Sequence, residues 1–113
     1  GENRDGCLRL CREISKALKL DIKDDVLEKD LADKAGWNMF GSTVPDYFAK
    51  ELKLTTQDSF IKTFGKPDRT GAVQMSTEGK RIENETLVWG IVNVVFVDGK
   101  VRNILLDRPK KNK

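Results

Sequence analysis

Cys7, Leu10, Cys11, Ile14, Ala17 and Leu18 recur at three- and four-residue intervals, and Arg9, Arg12, Glu13, Lys16 and Lys19 fall on the other side. That period predicts an amphipathic helix. Asp5 stands where a cap is expected. Leu27, Leu31 and Ala35 share a second helical stripe, with Asp24 and Asp25 ahead of it and Gly36 behind it. Acidic residues suit a helix start, and glycine suits its end. Trp37, Met39 and Phe40 lie in the connector between Gly36 and Gly41 and read as an anchor for the core. Ser42 or Thr43 is expected to cap a short helix through Val44, Pro45, Tyr47, Phe48 and Leu52. Proline is tolerated in a first turn, where its missing donor is no loss. The next helix has the clearest limits. Thr55 and Asp58 form a variant capping box, Phe60, Ile61 and Phe64 give one face, and Gly65 and Pro67 end it.

Beyond Pro67 the period changes to two. Val73 and Met75 alternate with Gln74 and Ser76, which predicts a strand. The polar stretch from Thr77 to Asn84 is expected to be a turn or loop, with Glu78 and Gly79 at its turn. Thr86 to Val97 reads as one long β-rich run, and Lys100 to Leu106 as its partner. Asp98-Gly99 between them is a strong hairpin signal. A regular two-residue hairpin sets Val97 opposite Lys100, Phe96 opposite Val101, Val94 opposite Asn103 and Val92 opposite Leu105. In that register Val92, Val94, Phe96, Val101 and Leu105 face the helices. Trp89, Ile91, Val95, Val97, Ile104 and Leu106 share the other face with Asn93, Lys100 and Arg102. A face so rich in large apolar groups needs a cover, from residues 71–83, from the first helix, from another subunit or from a protein partner.

These elements make one α+β domain over 1–113. N-terminal helices, about 6–65, pack on one face of an antiparallel sheet of about three strands, about 70–107, with a flexible basic tail at 108–113. A chain of 113 residues is one domain by length, and it buries roughly two-thirds of its unfolded surface, so it needs no staples. Hydrophobic residues at 38% and charged residues at 35% suit a charge-rich globular domain. No apolar run reaches the roughly 18 residues of a membrane helix. The net charge of +3 sits in the tail. Arg108, Lys110, Lys111 and Lys113 account for four of 21 basic residues, and the rest nearly balance 18 acids. Specific nucleic-acid binding is therefore not expected.

Histidine is absent, which removes Ser-His and Cys-His nucleophile pairs and imidazole metal ligands. Two cysteines cannot make a four-ligand zinc site. Cys7 and Cys11 share one helix face. A redox pair, half a metal site and a local disulfide are weighed against two small apolar residues in a core stripe, and the stripe is favoured. The acids from Asp21 to Asp33 lack the Gly and the terminal Glu of a calcium loop. The pairs Asp68/Arg69 and Glu83/Glu85 are the best groups for acid-base chemistry, yet both sit at expected loop or strand ends. No enzyme and no cofactor is expected. The chain opens on Gly1 without an initiating Met, so Gly1 reads as a candidate cloning scar.

Residues 54–106 also carry an ordered set of motifs. Thr55, Thr56 and Phe60 lead to Phe64-Gly65-Lys66-Pro67-Asp68, and Val94-Val95-Phe96-Val97 runs through Asp98-Gly99 into Lys100-Val101. This order resembles the SmpA/OmlA/BamE family and its relatives among the β-lactamase-inhibitor-like domains. The resemblance implies helices on one face of an antiparallel sheet. It further implies a non-enzymatic protein-binding module of the bacterial cell envelope, in the periplasm or at the outer membrane, with no catalytic residues to carry over. Membrane contact is then expected only through a lipid anchor outside these residues. Trp89, Ile91, Ile104, Leu106 and Arg102 are the candidate protein-binding residues. The alternative is an inhibitor-like or immunity-like protein, with Trp37, Phe40 and the acidic run as its candidate features.

Overall fold

The computed structural model describes residues 3–35, 42–77 and 79–107, with the side chains of all of these except 34–35, 73–77 and 80–83. The expected connector of Trp37, Met39 and Phe40 and the basic tail lie outside the described residues.

Helix α1 spans Arg4–Ala17. Its cap is Asn3 rather than Asp5. The Asn3 side chain accepts from the Gly6 N–H, and Asp5 sits in the first turn, where its charge complements the helix dipole. Cys7, Leu10, Cys11 and Ile14 are all buried, as the apolar stripe requires. A short 3-10 turn, Asp24–Val26, leads into α2, Leu27–Ala35. Leu27 and Leu31 bury against the core. Helix α3 is Thr43–Lys50, with Ser42 at its cap and Pro45 in its first turn. Helix α4 is Gln57–Phe64. Its capping box lies one residue beyond the expected one: Thr56 and Ser59 exchange side-chain to backbone hydrogen bonds. The box needs a side-chain acceptor at both ends of the first turn, and with Thr56 as the cap the second falls on Ser59 rather than on Asp58. Gly65 ends α4 as its spacing predicts.

The sheet has four antiparallel strands in the order β1-β2-β3-β4, not about three. Strand β1 is Arg69–Thr77, β2 is Lys80–Trp89, β3 is Val92–Val97 and β4 is Lys100–Leu106. One difference lengthens β1 and β2, and a second adds the fourth strand. The polar stretch expected as a loop pairs instead, with Thr77 opposite Lys80 and Gln74 opposite Glu83. The long β-rich run turns back at Gly90, which sits at φ +56°, so Trp89 pairs with Val92. A Cβ at Gly90 would lie 2.6 Å from the Cys7 sulfur, so the turn also needs glycine for space.

The last hairpin turns on Asp98 and Gly99, both at positive φ, as a type I′ turn requires. Val97 opposes Lys100 and Phe96 opposes Val101, as expected. There the regular register ends. Val95 pairs with Asn103, so Arg102 is an unpaired extra residue, a β-bulge. One inserted residue exchanges the two faces of the strand beyond it. Ile104 and Leu106 therefore turn inward opposite Val94 and Val92, and Leu105 turns outward. The expected partners Asn103 and Leu105 are each displaced by one position.

One hydrophobic cluster joins both halves of the chain. Helix residues Leu10, Ile14, Leu31, Phe48 and Phe60 meet strand residues Leu87, Trp89, Val94 and Ile104. Aromatic rings hold its centre. Phe60 stacks on Phe48 with centroids 5.4 Å apart and meets Phe96 edge-on at 5.4 Å. Phe64 meets Trp89 edge-on at 6.4 Å. Such rings add roughly 0.5–1.5 kcal/mol per pair beyond their buried area.

Candidate protein-binding surfaces

The five residues expected to form one binding face do not form one. Trp89, Ile104 and Leu106 are core residues, each at most 1% exposed. The Trp89 indole N–H donates to the Gly65 carbonyl at 3.1 Å, so its one polar atom is satisfied inside. Ile91 is half-buried against the core, and only Arg102 is exposed, on the bulge. Two features are the physical reason for this: the turn at Gly90 sets Trp89 beside inward-facing Val92, and the bulge reverses the end of β4. The bulge carries Ile104 and Leu106 under the helices, so the chain itself covers most of the apolar groups that seemed to need a partner.

A different outward face replaces it. Pairing places Val88, Asn93 and Leu105 in one row across β2, β3 and β4, and Thr86, Val95 and Asn103 in the next. Val97 follows, between Asn84 and Lys100. Apolar and polar positions are thus interleaved across each row. Val88, Val95, Val97 and Leu105 all lie outside the core cluster. Val88 is only 7% exposed, and the other three are half-buried. Arg69 and Lys100 stand at its margins as exposed cations. Periodicity could find this face only with the bulge known, because Leu105 belongs to it and Leu106 does not.

A second feature lies on the helical side. Residues Arg9, Arg12, Glu13 and Lys16 of α1 form one wall of a cleft of about 270 Å³. Leu52 and Leu54, between α3 and α4, and Thr63 and Phe64 of α4 form the rest. The Arg9 guanidinium lies 5.6 Å over the Phe64 ring, a cation-π contact. Glu13 accepts from the Tyr47 hydroxyl at 2.9 Å and pairs with Lys16 at 3.8 Å. Burial and then this hydrogen bond to Glu13 raise the Tyr47 phenol above its ordinary range.

The remaining candidate groups have structural partners. Asp68 accepts from the backbone N–H groups of Asn3 at 2.5 Å and Gly90 at 2.7 Å. The Asn3 bond above all, with the Gly90 bond, outweighs burial and holds its carboxyl below the usual carboxylate range. Asn3 also donates its side-chain amide to the Phe64 and Lys66 carbonyls, both at 2.9 Å. The Phe-Gly-Lys-Pro-Asp segment is thus a tie between the start of α1, the end of α4 and the β2–β3 turn. Glu85 faces the helices opposite Phe96 and accepts from the Gln57 side-chain amide. The side chain of Glu83 lies outside those described.

Both cysteines are free thiols in the core. Cys7 donates to Glu28 at 3.1 Å. The hydrogen bond with Cys7 and then burial push the Cys11 thiol far up, which keeps it protonated and unreactive. Among the described residues no three His, Cys, Asp or Glu side chains are grouped to hold a metal ion, and no helix is long and apolar enough to cross a membrane.

The fold is of the α+β class, with helices mostly in the first half and an antiparallel sheet in the second. No family model, no curated protein and no solved structure matches this chain significantly.

Proposed function

We propose that this chain is a non-enzymatic protein-binding module of the bacterial cell envelope, of the kind that the resemblance in residues 54–106 implies. The observation that carries the binding role is the outward sheet face of Val88, Val95, Val97 and Leu105, apolar yet separate from the core. Mixed apolar and polar positions suit a separable interface, which is about as apolar as other protein surface. The envelope assignment rests on the resemblance alone. The inhibitor-like reading rests on Trp37, Phe40 and the acids from Asp21 to Asp33, of which Trp37 and Phe40 lie outside the described residues.

Photo-crosslinking in the native host tests both parts. Benzoylphenylalanine placed at Val95 is expected to give one discrete protein adduct in the envelope fraction, and the same group at Lys29, exposed on α2, is expected to give none. Fractionation of the full-length gene product with the cytosol would overturn the envelope assignment. Equal adducts at both positions, or none at Val95, would overturn the sheet face.

A further inference from the structure

The cleft beside α1 combines charge and apolar surface in a way the core does not require. Three cations stand on its wall, and its one acid, Glu13, is engaged by Tyr47 and Lys16. Arg9 and Arg12 have side chains that are each 46% exposed. Their acidic partners, Asp5 at 4.0 Å and Asp24 at 3.2 Å, are 86% and 74% exposed. Ion pairs in that setting contribute about 0–1 kcal/mol, so an incoming carboxylate can replace either partner at little cost. The Phe64 ring lies under the Arg9 guanidinium, and a guanidinium can take a carboxylate through two parallel N–H bonds. Leu52 and Leu54 offer apolar surface beside these cations.

We propose that this cleft binds an acidic peptide segment of a partner protein, with carboxylates on Arg9 and Arg12 and one apolar side chain against Leu52 and Leu54. Size supports a peptide. At about 270 Å³ the cleft lies just under the roughly 300–1,000 Å³ of small-molecule sites, and it suits one or two side chains. Nucleic acid fits less well, because Phe64 is 3% exposed and presents no ring for base stacking. A lipid surface needs exposed large apolar groups beside the cations, and Val26 is the one such group among the described residues. The proposal is independent of the sheet face, which lies on the other side of the sheet from the helices.

The test uses the full chain and a fluorescein-labelled peptide, Glu-Asp-Leu-Asp-Phe-Glu-Asp, read by fluorescence anisotropy. Saturable binding is expected, weakened by added salt. Arg9→Glu and Arg12→Glu should each weaken it about tenfold, the scale of a lost charge contact. Lys29→Glu, a charge reversal on the exposed side of α2 and outside the cleft lining, should leave it unchanged. Amide chemical shifts should move at Leu54, Thr63 and Phe64 of the unsubstituted protein, which keeps the site testable if a variant folds poorly. Four results would each overturn the proposal: no saturable binding, equal weakening by Lys29→Glu, equal binding of the Gln/Asn version of the peptide, or tighter binding of oligothymidylate or phosphatidylglycerol vesicles.

Discussion

Asp68 does more for this fold than its position after a proline suggests. Its two oxygens receive the N–H groups of Asn3 and Gly90, which belong to segments far apart in sequence. Removing the carboxylate in Asp68→Ala leaves both donors without it. The expected cost is roughly 1.5–3 kcal/mol, the range for hydrogen bonds to a charged group, read by urea unfolding at neutral pH. The pH dependence has a definite sign. The folded carboxyl lies below its unfolded value of about 3.9, so its contribution is complete above that value and is lost as pH falls through the folded one. The gap between native protein and variant should therefore close in strong acid. A gap that stayed constant to low pH would show that charge plays no part in the tie.

At the scale of elements, the bulge at Arg102 decides which side of β4 is core. Ile104 is 1% exposed and Leu105 is half-buried on the other face. Ile104→Asp would place an unpaired carboxylate among Val94 and its neighbours, and it is expected to prevent folding at neutral pH. Leu105→Asp should cost about 1 kcal/mol or less, as surface changes do. Circular dichroism of the two variants separates the registers, because an unbulged hairpin requires the reverse result. This is also where the sequence was least legible. Asp98-Gly99 announces the turn, and Val97 and Phe96 keep the partners it dictates. Nothing in Lys100 to Leu106 announces the extra residue, since Arg102 and Asn103 are both acceptable on an outer face. The caps are legible to within a residue or two. Gly65 and the hydroxyls of Thr56 and Ser59 act through backbone geometry within one turn, so local sequence is enough to find them.

For the whole molecule, a shared core joins the helical and sheet halves. Phe60 touches rings from both, Phe48 and Phe64 on the helices and Phe96 on the sheet. Phe60→Ala should cost roughly 3–5 kcal/mol, a large part of the roughly 5–15 kcal/mol that holds a typical domain together. Because the core is common, the loss should appear as one earlier transition. Helical circular dichroism and Trp89 fluorescence, recorded in a Trp37→Phe background, should shift together in urea. Two separated midpoints would mean that the halves fold independently.

The residues by themselves determined the class of the fold, the two helical stripes around Leu10 and Leu31, the end of α4 and the last turn. Each of these is set by a period or by a local backbone demand, and both can be read along the chain. Tertiary structure decided the surfaces. Ile104 and Leu106 left the candidate interface for the core because one unpaired residue reverses a strand's faces, and Trp89 left it because the chain turns back at Gly90 and sets it beside inward-facing Val92. The cleft of Arg9, Arg12 and Leu54 came into being because α4 and its preceding connector pack beside α1. A surface is formed by residues distant in sequence, so their chemistry is legible one by one while their company is fixed only by packing.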